Sequence, residues 1–372
     1  MGGEPPVGDL PETGLAPLAF ADLSGWREDD HATAFAAFRR GADIASDHPP
    51  KTRELGTDGA ALGAILKRAA RFAETVAPDA ARSFFEAAFE PFEVITRSGH
   101  GLFTGYYEPE VAGSLAPTAQ FTVPLYRAPP DLVEIEPGEA PPIDPSFRFV
   151  RRSTSGLTEH PDRAAIMAGA LAERGLELVY VADPVDAFFI HVQGAARIRL
   201  ADGRTMRITY AAKSGHPYTP IGKVIADMGG RAREALTMPA IRAWLAAHRD
   251  EANAVMAQNR SYIFFREAPV ADDGLGPVAA AKVPLTAGRS LAVDRLLHTF
   301  HSPVWVETTL PSGEVLRRLM IAQDTGSAIV GAARGDIFFG SGAAAGAIAG
   351  AMRANGRFVL FVPKGSATRS GR

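Results

Sequence analysis

Cysteine is absent from this chain of 372 residues. That excludes disulfides, thiolate metal sites, a cysteine nucleophile and a lipidated cysteine within these residues. Long apolar runs are missing as well, and nothing approaches the ~18 consecutive apolar residues of a membrane-crossing helix. Charge of one sign is scarce: a net charge of -3 gives no strong pull towards nucleic acid or an anionic membrane. The opening Met1-Gly2-Gly3-Glu4-Pro5-Pro6 has neither a basic nor an apolar region, so it does not read as a signal peptide. On that ground the expectation is a cytosolic protein, or a chain that was processed or started at the wrong site.

Motifs of common chemistries are missing too. The nine histidines form no HxxxH pair and no HExxH; His298 and His301 are three apart without nearby acids. No metal and no cofactor is expected. There is no GxGxxG after a strand and no GxxxxGK[ST]. Gly340-Ser341-Gly342 precedes a helix and reads as a tight turn rather than an anion cradle. Phe339-Gly340-Ser341-Gly342-Ala343 fails the Gly-x-Ser-x-Gly pattern of a serine hydrolase.

What is present suits a globular protein of two domains: 46% hydrophobic and 22% charged residues. Residues 1–18, rich in Gly, Pro and acid, are expected to be disordered. Residues 28–95 read as helical. Leu62, Ile65, Leu66, Ala69, Phe72 and Val76 make one apolar face. Phe35 with Phe38, and Phe84 and Phe85 with Phe89, suggest further helices. Residues 127–147 read as a long loop. A short helix is expected at 163–173 and strands at 176–181 and 187–192. Asp202-Gly203 marks a hairpin between 197–201 and 204–210. Thr219-Pro220 opens a helix, and 239–248 is another. Strands follow at 261–266, 279–284, 290–294, 304–308, 315–322 and 357–362. A Gly/Ala-rich helix over 343–355 is expected to end at Gly356 as C-cap. Short strands with glycine turns favour a barrel over a doubly wound sheet.

The densest chemistry lies near the C-terminus. Gln323-Asp324-Thr325-Gly326-Ser327-Ala328-Ile329-Val330-Gly331 is followed by Arg334-Gly335-Asp336-Ile337-Phe338-Phe339. An apolar wall beside Asp336 would raise its pKa and make it a general acid for a glycosidic oxygen. The plainer reading is that Asp324 and Asp336 cap turns.

This cluster resembles the "3D" domain, named for three aspartates. Asp294 in Leu291-Ala292-Val293-Asp294-Arg295 matches the first, Asp324 the second and Asp336 the third; Ser327 and Val330 depart from its usual glycine and lysine. Earlier stretches resemble the membrane-bound lytic murein transglycosylase A family. They are Phe103-Thr104-Gly105-Tyr106-Tyr107-Glu108-Pro109, Pro124-Leu125-Tyr126, Asp162-Arg163-Ala164-Ala165-Ile166, Phe189-Ile190-His191-Val192-Gln193-Gly194, Gly215-His216-Pro217-Tyr218-Thr219-Pro220-Ile221-Gly222 and Asn259-Arg260-Ser261-Tyr262-Ile263-Phe264-Phe265. The resemblance implies a mainly β fold with N-terminal helices. A double-psi β-barrel domain would be built from 19–109 and 266–372, with the 3D motif at about 280–345. A smaller β-domain would be inserted over 110–265, with a groove between the two.

It also implies cleavage of the β-1,4 bond between N-acetylmuramic acid and N-acetylglucosamine, leaving 1,6-anhydromuramyl ends. Asp336 would be the acid and base, Asp324 a catalytic support whose charge raises the pKa of Asp336, and Asp294 structural support. Thr104, Tyr106, Tyr107, Gln193, Gly194, His216 and Tyr218 are candidate glycan contacts. The partner is a peptidoglycan strand, the protein is expected to be a monomer, and its place is periplasmic or at the outer membrane. One rival is a hydrolase, which needs a second carboxylate for which Glu108 and Asp186 are conceivable. The other is a wall-binding module without activity.

Overall fold

The computed structural model describes residues 14–135, 147–229, 236–269 and 272–366. In chain order, strand β1 (Gly14–Pro17) precedes α1 (His31–Arg39), α2 (Gly41–Asp47), α3 (Gly59–Ala69), α4 (Pro78–Ala88), β2 (Phe89–Ile95) and β3 (Gly101–Glu108). The middle holds β4 (Glu110–Ser114), β5 (Val123–Tyr126), β6 (Leu132–Glu134), β7 (Phe149–Ser153), β8 (Gly156–Thr158), α5 (Arg163–Met167) and β9 (Glu177–Val181). It continues with α6 (Pro184–Gln193), β10 (Ala195–Arg199), β11 (Thr205–Lys213), α7 (Ile221–Gly229), α8 (Met238–Ala247), α9 (Arg249–Ala257) and β12 (Ile263–Ala268). The last part is β13 (Ser290–Ala292), β14 (Pro303–Thr309), β15 (Val315–Asp324), β16 (Arg334–Ser341), α10 (Gly342–Ala351) and β17 (Arg353–Pro363). The fold is mainly β with helices.

The chain forms two compact units. The first runs to Gly105 and resumes over Val278–Phe339 and from Met352; the second comprises Tyr106–Pro277 and Gly340–Ala351. The expected boundaries at 109/110 and 265/266 therefore move, and 340–351 leaves the first unit. Part of the reason is polar: Ser341 Oγ donates to Glu108 Oε2 at 2.7 Å within the second unit.

In the first unit, eight strands pair in the order β1-β2-β17-β14-β15-β13-β16-β3, and β17 also pairs with β3. The second pairing closes six of them into a ring. Alternation along the strands fills two cores. Trp305, Leu319, Ile321, Val359 and Phe361 face outward into a cluster with Phe35, Phe38, Phe85 and Phe89. Val304, Val306, Met320, Phe358 and Leu360 face inward with Phe103, Leu291 and Ile337. Strands buried on both faces read as unbroken apolar runs, as in Phe358-Val359-Leu360-Phe361-Val362. Asp30 and Asp58 cap α1 and α3 by accepting from backbone N–H groups of the first turn.

Several expectations are corrected here. Residues 14–18 were expected to be disordered, but Gly14–Pro17 pairs antiparallel with β2; residues 1–13 lie outside the described residues. Phe89 begins a strand rather than continuing a helix. Helix α3 stops at Ala69, so Phe72 and Val76 lie beyond it. Residues 279–284 form no strand: Ala279 N–H donates to Val283 O at 3.0 Å, and Lys282 takes φ 65° in a tight turn. Gly356 is no helix cap, because it lies inside β17 opposite Thr308. A Cβ there would come 2.3 Å from the Glu307 carbonyl oxygen, so close strand approach is what requires glycine.

The second unit carries a six-stranded sheet, β12-β11-β10-β4-β9-β5, and a small sheet, β6-β7-β8. The expected 127–147 loop thus contains β6, and residues 136–146 lie outside the described residues. The hairpin at Asp202-Gly203 is present between β10 and β11, with Gly203 at φ 84°. Residues 187–192, expected as a strand, belong to helix α6. Asp183 caps its start, Pro184 follows, and Gly194 ends it at φ 77°. Ala187 and Ile190 face one apolar cluster and Phe188 and Phe189 another, so the helix is apolar on two sides and hides its 3.6 period.

Candidate active site

Asp336 lies on β16 and pairs across to Ala292 on β13. Ala292 in turn pairs with Asp324 on β15. The two aspartates therefore flank one strand, roughly 10 Å apart at their Cα atoms. Alternation sends Ile337 and Phe339 into the inner core and leaves Arg334 and Asp336 on the other face. The Thr104 hydroxyl, on β3, donates to Asp336 Oδ1. Arg334 Nη2 donates to the same hydroxyl oxygen at 2.7 Å. Burial pushes the Asp336 carboxyl above the usual carboxylate range, while Arg334 and the Thr104 hydrogen bond oppose it. The expected cause was Asp324 and a sequential apolar wall. Burial is the raising cause instead, with a strand between the two carboxyls and alternate wall residues turned into the core.

Asp324 Oδ1 accepts from Thr325 N–H at 2.9 Å and Ala280 N–H at 3.3 Å. Asp294 accepts from Leu296 N–H at 3.0 Å and Gly331 N–H at 2.9 Å. Asp294 thus ties its own loop to the loop that carries the Asp324 motif towards Asp336. Thr104 and the three aspartates all belong to the first unit.

The other candidates belong to the second unit. Tyr106 is half-buried on β3. Tyr107 is buried, its phenol pushed up by burial beside Arg242 and Asp186, and its N–H donates to Gln193 Oε1 at 3.0 Å. Gly194 serves as the helix cap described above. His216 is 2% exposed, its ring against Phe147 and its Nε2 2.6 Å from the His160 carbonyl oxygen. These contacts tie Tyr107, Gln193, Gly194 and His216 into the second unit. Tyr218 stays exposed at 37%.

The two candidates for a hydrolase's second carboxylate are each paired with arginine. Glu108 is buried between Arg197 at 2.8 Å and Arg207 at 2.7 Å. Asp186 pairs with Arg242 at 2.7 Å. No group of three His, Cys, Asp or Glu able to hold a metal ion occurs among the described residues.

Sequence reasoning missed two arrangements. Arg334 touches Thr104, and only its i, i+2 spacing from Asp336 on a strand could have signalled it. Arg163 is 2% exposed and draws three motif stretches together. It donates to Asn259 O at 2.9 Å and Ser261 O at 2.6 Å, meets His191 Nδ1 at 3.1 Å, and lies over the Phe188 and Tyr262 rings.

Residues 102–266 match the profile of the MltA specific insert domain, and residues 289–362 that of the 3D domain. A membrane-bound lytic murein transglycosylase from Agrobacterium tumefaciens has a crystal structure 44% identical to this chain. It superposes with a TM-score of 0.86, covering 96% of this chain and 100% of that one. This chain belongs to the MltA family of lytic murein transglycosylases. The membrane-bound lytic murein transglycosylase A of Escherichia coli K12 is 33% identical over 268 residues. That match spans 70% of this chain and 65%, just under two thirds, of the relative. The structure of Escherichia coli MltA with bound chitohexaose shares 26% identity and a TM-score of 0.64, covering 96% of this chain and 93% of that one. The MltA relatives are named membrane-bound; among the described residues no helix is long and apolar enough to cross a membrane.

Proposed function

We propose that this chain is a peptidoglycan lytic transglycosylase with Asp336 as its single acid and base. The observation that carries the reading is the half-buried Asp336 carboxyl, held above its ordinary range on a strand and hydrogen-bonded by Thr104. Protonated Asp336 gives its proton to the glycosidic oxygen as the bond to the muramyl anomeric carbon breaks. The resulting carboxylate takes the proton of the muramyl 6-hydroxyl while that oxygen bonds to the same carbon. No water is consumed, a 1,6-anhydro ring forms, and Asp336 regains its proton. The intramolecular attack gains from proximity and removes the need for a second carboxylate. The engaged state of Glu108 and Asp186 supports this over hydrolysis. The chitohexaose bound to an MltA relative supports a sugar-strand substrate. Asp324 and Asp294 hold the loops around the acid, Tyr106 and Tyr218 remain the glycan contacts, and the six-stranded ring is a double-psi β-barrel.

The test is digestion of purified sacculi by wild type and Asp336→Ala, with released muropeptides read by mass spectrometry. Wild type should release 1,6-anhydro products, and Asp336→Ala at least about 100-fold less. Reducing-end products would make the protein a hydrolase. Sacculus binding without release would make it a binding module.

A further inference from the structure

Thr104 carries one hydroxyl hydrogen, and its direction decides what Asp336 can do. Arg334 Nη2 donates into the Thr104 oxygen at 2.7 Å, so the hydroxyl hydrogen must turn away from the guanidinium. It turns to Asp336 Oδ1. Arg334 is itself anchored: Nη1 donates to Gly335 O at 2.5 Å and lies 3.4 Å from Leu102 O. One guanidinium therefore bridges the strand of Thr104 and the strand of Asp336. We propose that Arg334 is a positioning residue for the acid, locking Thr104 as a donor to Oδ1 so that Asp336 exchanges its proton through Oδ2. The inference rests on the reading of Asp336 as the acid.

The chemistry follows from the count of donors. Oδ1 already accepts a hydrogen, so the acid proton resides on Oδ2 and leaves from there. When the carboxylate forms, Thr104 and the Arg334 charge stabilise it, which eases proton release to the glycosidic oxygen. The charged groups around this relay are Arg334 and Asp336 on β16, Arg353 at the start of β17, whose charge also acts on Arg334, and Asp324 at the end of β15. Thr104 is the neighbour on β3 and carries no charge.

The experiment follows the Asp336 carboxyl carbon by 13C NMR titration in wild type, Arg334→Ala, Arg334→Lys and Thr104→Val. Asp336→Asn identifies the resonance. The same proteins are assayed on sacculi across pH. Arg334→Ala should raise the Asp336 midpoint by about one pH unit and carry the alkaline limb of kcat upward with it. It should lower kcat about tenfold with KM within about twofold. Arg334→Lys keeps the charge without the fork; it should hold the midpoint near wild type and still lose kcat, which keeps the test decisive should Arg334→Ala fold poorly. In a Thr104→Val background, Arg334→Lys should cost almost nothing further. An Asp336 midpoint unmoved by Arg334→Ala, or kcat losses that multiply when Thr104→Val and Arg334→Lys are combined, would overturn the proposal. The titration needs no turnover. A wild type that makes no anhydro product sinks the transglycosylase reading, while the midpoints still decide the role of Arg334.

Discussion

Asp336 is costly to keep in its place. Its carboxyl ionises less readily in the fold than in the unfolded chain, whose ordinary value is 3.8. A raised acid destabilises the fold once pH exceeds the unfolded value, because the unfolded chain then gives up its proton and the folded chain resists. Asp336→Asn removes that penalty. Its melting temperature should exceed wild type at pH 7 and match it near pH 3; an equal or lower value at pH 7 would refute the burial argument. Catalytic activity should fall as pH rises through the Asp336 pKa, since the acid must be protonated to act. Asp336 was legible because its motif is local. Arg334 was not, because its meaning depends on Thr104, 230 residues earlier in the chain. The surroundings of His216 and Gln193 were not legible for the same reason: His216 packs against Phe147 and Gln193 accepts from Tyr107 N–H, contacts that no local pattern shows.

The elements with plain punctuation were legible as elements. The hairpin at Asp202-Gly203, helix α8 and four strands of the ring, β13, β14, β15 and β17, follow from turn residues and apolar runs. Helix α6 was misread because its aromatic and β-branched residues are buried on two sides, although Asp183-Pro184 and Gly194 mark both ends. Gly356 was read as a stop signal, and the strand partner explains it instead. The distinction is measurable. Gly356→Ala should cost about 3 kcal/mol in urea unfolding, since the new methyl meets a backbone carbonyl that cannot move freely. A cost below about 1 kcal/mol would refute close strand approach as the reason for glycine at this position.

Across the whole molecule, five buried histidines are stored neutral. Burial lowers the values of His31, His160, His191, His298 and His301, the last two to about 4. A histidine lowered in the fold takes up its proton more readily when unfolded. Stability should therefore be level above about pH 6.5 and fall as pH drops towards 4, by about 3 kcal/mol for each of His298 and His301. Urea midpoints taken at pH 7 and at pH 4.5 check this, and equal midpoints would contradict it. By itself the sequence determined the family, the three-aspartate motif and the order of most elements, because motifs, turn residues and hydrophobic period are properties of neighbours along the chain. Only the tertiary structure decided which polar residues are buried, where the units divide, and how Asp336 is held. Those depend on burial and on strands closing between residues hundreds of positions apart, and no local pattern encodes such contacts.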